Sequence, residues 1–190
     1  GSEMCIRDSS EQYPERKVYV VDSLCASLGQ GLLVWYAARM KNEGRGIGAV
    51  RDWLEENKLH LCHWFTVDDL HFLKRGGRIS SATAVLGTML SIKPIITFSD
   101  DGQLQSIAKV RGRRQVQDKI LELLRARFQS GRRYNLAVAN GGAPEEMAEF
   151  AARLKAEFPN YEHFWEGVMD ATLSVYIGDG VIGGGIQFLD

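Results

Sequence analysis

The chain has 190 residues, 45% of them apolar, and carries 23 Lys and Arg against 24 Asp and Glu. A net charge of -1 excludes a global field that would steer it to nucleic acid or an anionic membrane, and no apolar run is long enough to cross a bilayer. Three cysteines, Cys5, Cys25 and Cys62, with no CxxC pair exclude a disulfide scaffold and a zinc site, and fit a reducing cytoplasm.

Residues 1–10 share no periodicity with the rest of the chain and are set apart as a non-native leader. Lys17–Ser23 is a short β-branched run, which predicts a buried strand. Ser27-Leu28-Gly29-Gln30-Gly31 opens a helix that continues to Met40 and closes at Lys41–Gly44. Gly29 and Gly31 lack the third glycine and the acidic partner of a dinucleotide fingerprint, so their expected role is close packing of helix on sheet. Ile47–Lys58 is amphipathic, with Ile47, Val50 and Leu54 on one face. Leu59–Val67 predicts a second strand. His60 and His63 are three apart on it and so face opposite ways, which argues against a shared metal site.

Asp68 and Asp69 begin a helical turn carrying Leu70, Phe72 and Leu73. Lys74 and Arg75 complement its C-terminal dipole. Gly76-Gly77 breaks the helix, and Arg78 lies past the break, ahead of a second helix over Ser81–Met89 capped by Ser80 and Ser81. A cation beside free helix N–H groups suits a carboxylate or phosphate; a structural salt bridge is the alternative. Next come a strand over Ile92–Phe98, whose Pro94 limits it to a sheet edge or a strand start, a Ser99–Gly102 hairpin turn and a partner strand over Gln103–Val110. Lys109, Arg111, Arg113 and Arg114 form a basic cluster with no interleaved aromatic, which suits a docking patch for an acidic partner better than nucleic acid. A helix over 114–128, a strand over Tyr134–Asn140, a helix from Pro144 to Phe158 and a strand over His163–Val168 come after it. The end, Leu173–Phe188, reads as a Gly-rich closing strand.

This order gives an α/β chain in two lobes. Residues 11–68 form the remnant of an N-terminal α/β lobe, and residues 69–190 form the hinge and a C-terminal α+β sandwich lobe. The cleft between lobes is the expected binding site. No GxSxG, HExxH or Walker A pattern is present, so no catalytic residue and no metal ligand set is assigned. An arginine at a glycine hinge, with hydroxyls and abundant apolar helix surface, suits an amphiphile with one anionic head. The alternative is an enzyme or phosphate-ester binder using Arg78 and the Gly178–Gly185 loop.

Several segments together resemble the DegV family: Val20-Val21-Asp22-Ser23 with Ser27–Gly31, Asp69–Ser80 with its Gly76-Gly77-Arg78-Ile79 core, Leu86–Ile95, Asp101-Gly102 and Lys109–Arg113. The resemblance covers about residues 11–190. It implies a two-lobed bacterial, cytoplasmic protein that is not itself an enzyme. Such a protein holds a long-chain fatty acid between its lobes, has no cofactor, and presents the carboxylate to a fatty acid kinase subunit that makes an acyl phosphate for phospholipid synthesis. It places Arg78 near the fatty-acid carboxylate and Arg111, with Arg113 and Arg114, on the kinase-docking surface. Two departures stand out. Nothing here matches the N-terminal segment that supplies a threonine and a serine to the carboxylate, so the first lobe reads as incomplete. Tyr176 and Asp179 replace a family histidine and proline, and the Tyr176 hydroxyl can still donate to a carboxylate.

Overall fold

The computed structural model describes residue 8, residues 11–79 and residues 91–189. In chain order the elements are α1 (Leu28–Asn42), α2 (Ile47–Asn57), β1 (Leu61–Thr66), α3 (Leu70–Arg75), β2 (Ile92–Phe98), β3 (Leu104–Arg111), α4 (Arg113–Arg127), β4 (Tyr134–Gly141), α5 (Pro144–Glu157), β5 (Phe164–Val168), α6 (Ala171–Ile177) and β6 (Val181–Phe188). The six strands form one sheet in the order β3-β2-β1-β6-β4-β5. All neighbouring pairs are antiparallel except β4 with β5. The parallel pair is joined by α5, as a crossover requires.

Alternation along the strands separates two faces. One face carries Trp64, Ile95, Leu136, Val138, Ile182 and Ile186, which pack against Val116, Ile120 and Leu124 of α4 and Phe150 and Leu154 of α5. Each such side chain, fully buried, contributes roughly 1.5–3 kcal/mol. The other face lies under α1. There the buried Asn135 of β4 donates to the Tyr36 hydroxyl of α1 at 2.6 Å, which satisfies both polar groups. A smaller apolar cluster, Val67, Leu70, Leu73, Ile96, Met169 and Val181, seats α3 at one end of the sheet.

Three expectations need correction and one is narrowed. Lys17–Ser23 has no regular secondary structure and pairs with no strand among the described residues. The closing segment is not one strand: Ala171–Ile177 is helical, with Asp170 accepting from the Leu173 N–H at 2.9 Å, and only Val181–Phe188 joins the sheet. The division at residue 68 cuts across a single sheet, since β1 on its N-terminal side pairs with both β2 and β6. Finally, β2 is an inner strand, so of the two placements Pro94 allowed it is the strand start and not the sheet edge that holds. Pro94 is tolerated at its third residue because β2 overlaps β1 only at Phe65 and Ile96. The Ser99–Gly102 turn joins β2 to β3, with Ser99 and Gln103 bonded at 2.8 Å. The expected Ser81–Met89 helix, with its Ser80 and Ser81 caps, lies outside the described residues.

Candidate functional site

An apolar cavity opens on the α1 face of the sheet. Leu61, His63 and Phe65 of β1, Ala137 and Ala139 of β4, and Val181, Gly183 and Gly185 of β6 form its floor. Leu28 and Leu32 of α1, Phe98 of β2, and Leu173 and Ile177 of α6 form its walls. The cavity volume is about 80 Å³, within a depression of about 640 Å³ that includes open solvent. Its origin is compositional. On the α4 and α5 face the same strands carry Leu136, Val138, Ile182 and Ile186, which fill the space to the helices. On this face they carry Ala137, Ala139, Gly183 and Gly185, which leave it open. Gly29 of α1 has the role the sequence suggested, since a Cβ there would lie 2.6 Å from Leu61. Gly31 has open space around it and no such role.

Beside the cavity, Arg78 follows the short helix α3 and Tyr176 lies on the short helix α6. Asp69 caps α3 by accepting from the His71 N–H at 2.8 Å. The helix closes in a Schellman motif: the Arg78 N–H reaches the Leu73 carbonyl at 2.9 Å, and the Gly77 N–H reaches Lys74 at 3.0 Å. Gly77 occupies the left-handed position, φ +67°. Arg78 is thus the first residue beyond a defined cap. Its guanidinium donates to the Gly76 carbonyl at 2.7 Å and lies 4.8 Å from the centre of the Tyr176 ring. A Cβ on Gly76 would come within 2.6 Å of that ring, so the glycine is what lets α3 and α6 approach. Arg78 is exposed and has no carboxylate partner among the described residues. The structural salt bridge is therefore absent there, and the charge is free to meet an anion. Neither side chain lines the cavity. Helix α6 joins the two features, because Leu173 and Ile177 lie in the cavity wall and Tyr176 is on the same helix.

The basic cluster does not act as one patch. Arg111 and Arg114 are exposed, at the end of the outer strand β3 and the start of α4. Arg113 turns inward. It binds Glu146 through Nε at 2.8 Å, Asp68 through Nη1 at 2.8 Å, and the Gly180 carbonyl. Lys93 meets the same Asp68 oxygen at 2.6 Å. Asp68 stands just before α3 and Gly180 just after α6, so Arg113 ties together the two ends of the arm that carries Arg78 and Tyr176. Asp179 lies against Gly142 and lines a polar cleft with Lys93, Arg113 and Glu146, not the apolar cavity.

Two features escape a reading of the residues one by one. The first is the small-residue floor. Its signal, small residues alternating with large ones in Ala137-Val138-Ala139 and Ile182-Gly183, acquires meaning only once β4 and β6 pair. The second is His63. Both ring nitrogens are closed off from solvent and have no hydrogen-bond partner, and burial lowers the imidazole from 6.5 to about 4.

A family model described as "Uncharacterised protein, DegV family" matches residues 1–188. The chain is 42% identical over 149 residues to a DegV domain-containing protein of Clostridium perfringens, covering 78% of this chain and 51% of that one. It is 35% identical over 167 residues to Protein DegV of Bacillus subtilis, covering 87% of this chain and 59% of the relative. Among solved structures, it superposes with a TM-score of 0.91 on a protein from Thermus thermophilus described as "Fatty Acid Binding of a DegV family Protein". With a TM-score of 0.86 it superposes on "DegV, a fatty acid binding protein from Bacillus subtilis". Each is 30% identical and is matched over 100% of this chain and 67% of its own length. The chain thus spans between half and two thirds of the relatives it matches.

Proposed function

From the chain's membership of the DegV family, shown over residues 1–188, we propose that it binds a long-chain fatty acid, with the acyl chain on the small-residue floor and the carboxylate at Arg78 and Tyr176. The observation that carries this reading is the pairing of an apolar cavity with a guanidinium on an adjoining element that has no carboxylate partner among the described residues. An alkyl chain gains by leaving water for a wall of Leu, Phe and Ile side chains. A carboxylate gains from a charge-assisted bond that an alcohol or ester head group cannot match. The Tyr176 hydroxyl supplies a second donor. The likeness to two solved fatty-acid-binding proteins supports the same ligand class.

Among the described residues the binding site contains no nucleophile–base pair, so chemistry on the carboxylate belongs to a partner. We assign that partner as the catalytic subunit of a fatty acid kinase, which activates the carboxylate as an acyl phosphate for phospholipid synthesis in the cytoplasm. Arg111 and Arg114 are exposed and form its docking surface. Arg113, also expected there, is instead an internal tie whose loss would act through the arm.

Calorimetric titration with octadecanoic acid and octadecanol tests the head-group assignment. Arg78→Ala is expected to weaken the acid by about 1.5–3 kcal/mol, the worth of a charged hydrogen bond, and to leave the alcohol unchanged. Equal loss for both ligands would contradict it. In the same preparation Arg111→Ala is expected to keep acid affinity and lose capture by the kinase subunit. Undiminished capture would remove Arg111 from that surface.

A further inference from the structure

The cavity lining is apolar apart from Ser27, just before α1, and His63 on the floor. His63, at the middle of β1, contributes its ring to the lining, between Leu61 and Phe65. The Thr97 hydroxyl of β2 donates to the His63 carbonyl at 2.8 Å, which pins the backbone there. The Phe98 ring packs on the imidazole with centroids 5.0 Å apart, and a Cβ on Gly185 would touch the His63 Cβ at 2.8 Å. The imidazole thus packs on the Phe98 ring, in a lining that also holds Leu61 and Phe65. Among the described residues neither Nδ1 nor Nε2 has a partner. Buried polar groups are almost always paired, and one left unpaired at a cavity wall marks a place where something else completes it.

We propose that His63 is a polar anchor within the cavity, and that the ligand class it favours is a long acyl chain bearing a hydroxyl partway along its length. This rests on the fatty-acid reading above and narrows it. A neutral imidazole presents one N–H and one lone pair, and a hydroxyl can answer either. A plain alkyl chain answers neither, so filling the cavity with one leaves the ring as it is now. The hydroxyl also has to shed its own water on entering, and only a partner such as His63 restores that bond. Both nitrogens are closed off, so reaching them requires a lining side chain to turn aside, and Phe98 is the aromatic ring packed on the imidazole.

The test compares octadecanoic acid with its monohydroxy derivatives, the hydroxyl stepped along the mid-chain carbons, on delipidated wild-type protein and on His63→Phe. The quantity read is the affinity ratio of each hydroxy acid to the parent. For at least one position that ratio is expected to fall about tenfold in His63→Phe, the scale of one hydrogen bond. Reading each hydroxy acid against the parent acid on the same variant cancels any change in the floor that both ligands feel. His63→Leu repeats the comparison should the larger ring unfold the chain, with circular dichroism as the check. An unchanged ratio at every position, while the parent acid binds, would overturn the role of His63 and leave the fatty-acid reading standing. Failure of every acid to bind wild type would overturn both.

Discussion

Burial without a hydrogen-bond partner holds the His63 imidazole at about 4, below its ordinary 6.5. In the unfolded chain the same ring takes up a proton as the pH falls through 6.5, and in the folded chain it does so only near 4. Stability is therefore complete above 6.5, is lost progressively as the pH falls to 4, and is flat below. The loss from this one group is about 3 kcal/mol. Urea midpoints measured from neutral to acid pH should fall further in wild type than in His63→Phe, by that amount. Parallel curves would show that the ring titrates normally. At this scale the sequence was partly legible. The break at Gly76-Gly77 ahead of Arg78 was readable and ends α3 where expected, while the carboxylate role of Arg78 and Tyr176 is a proposal. The place of Arg113 was not readable, because a run of cations along the chain does not say which of them turns inward to Asp68 and Glu146.

Between elements, the α3–α6 pair depends on the turn that ends α3. Gly77 sits at φ +67°, where a Cβ costs about 1 kcal/mol and asparagine less. Gly77→Ala is expected to lower stability by about that amount, and Gly77→Asn by about half. Equal stability of both variants and wild type in chemical denaturation would show that the cap does not hold the arm. The helices and the β2–β3 hairpin were readable from periodicity, capping and turn residues. Helix α6 was not, because Thr172, Val175, Tyr176 and Ile177 have strand preferences, and their one contrary signal was Asp170 as an N-cap. The Lys17–Ser23 run failed the other way. Its composition suits a strand, but a strand exists only where a neighbour completes the ladder.

Over the whole molecule, one sheet is covered by α4 and α5 on a densely filled face and by α1 on a face floored with alanine and glycine. That asymmetry converts an ordinary α/β layering into a container. The order of elements could largely be read from the chain. The container could not, since its floor is assembled from β4 and β6, whose residues are more than forty positions apart in sequence. It also explains why the expected division at residue 68 does not separate two sheets: β1 is the strand that carries Leu61, His63 and Phe65 into the floor. The central claim is that this space holds an acyl chain. Native mass spectrometry of the protein purified from bacteria, with and without added octadecanoic acid, addresses it directly, using Ala139→Phe as the variant that fills the floor. The account expects one fatty acid per wild-type chain, recoverable by organic extraction, and none on a folded Ala139→Phe. A wild-type chain that stays empty with the acid supplied, or a variant that binds as well as wild type, would contradict it.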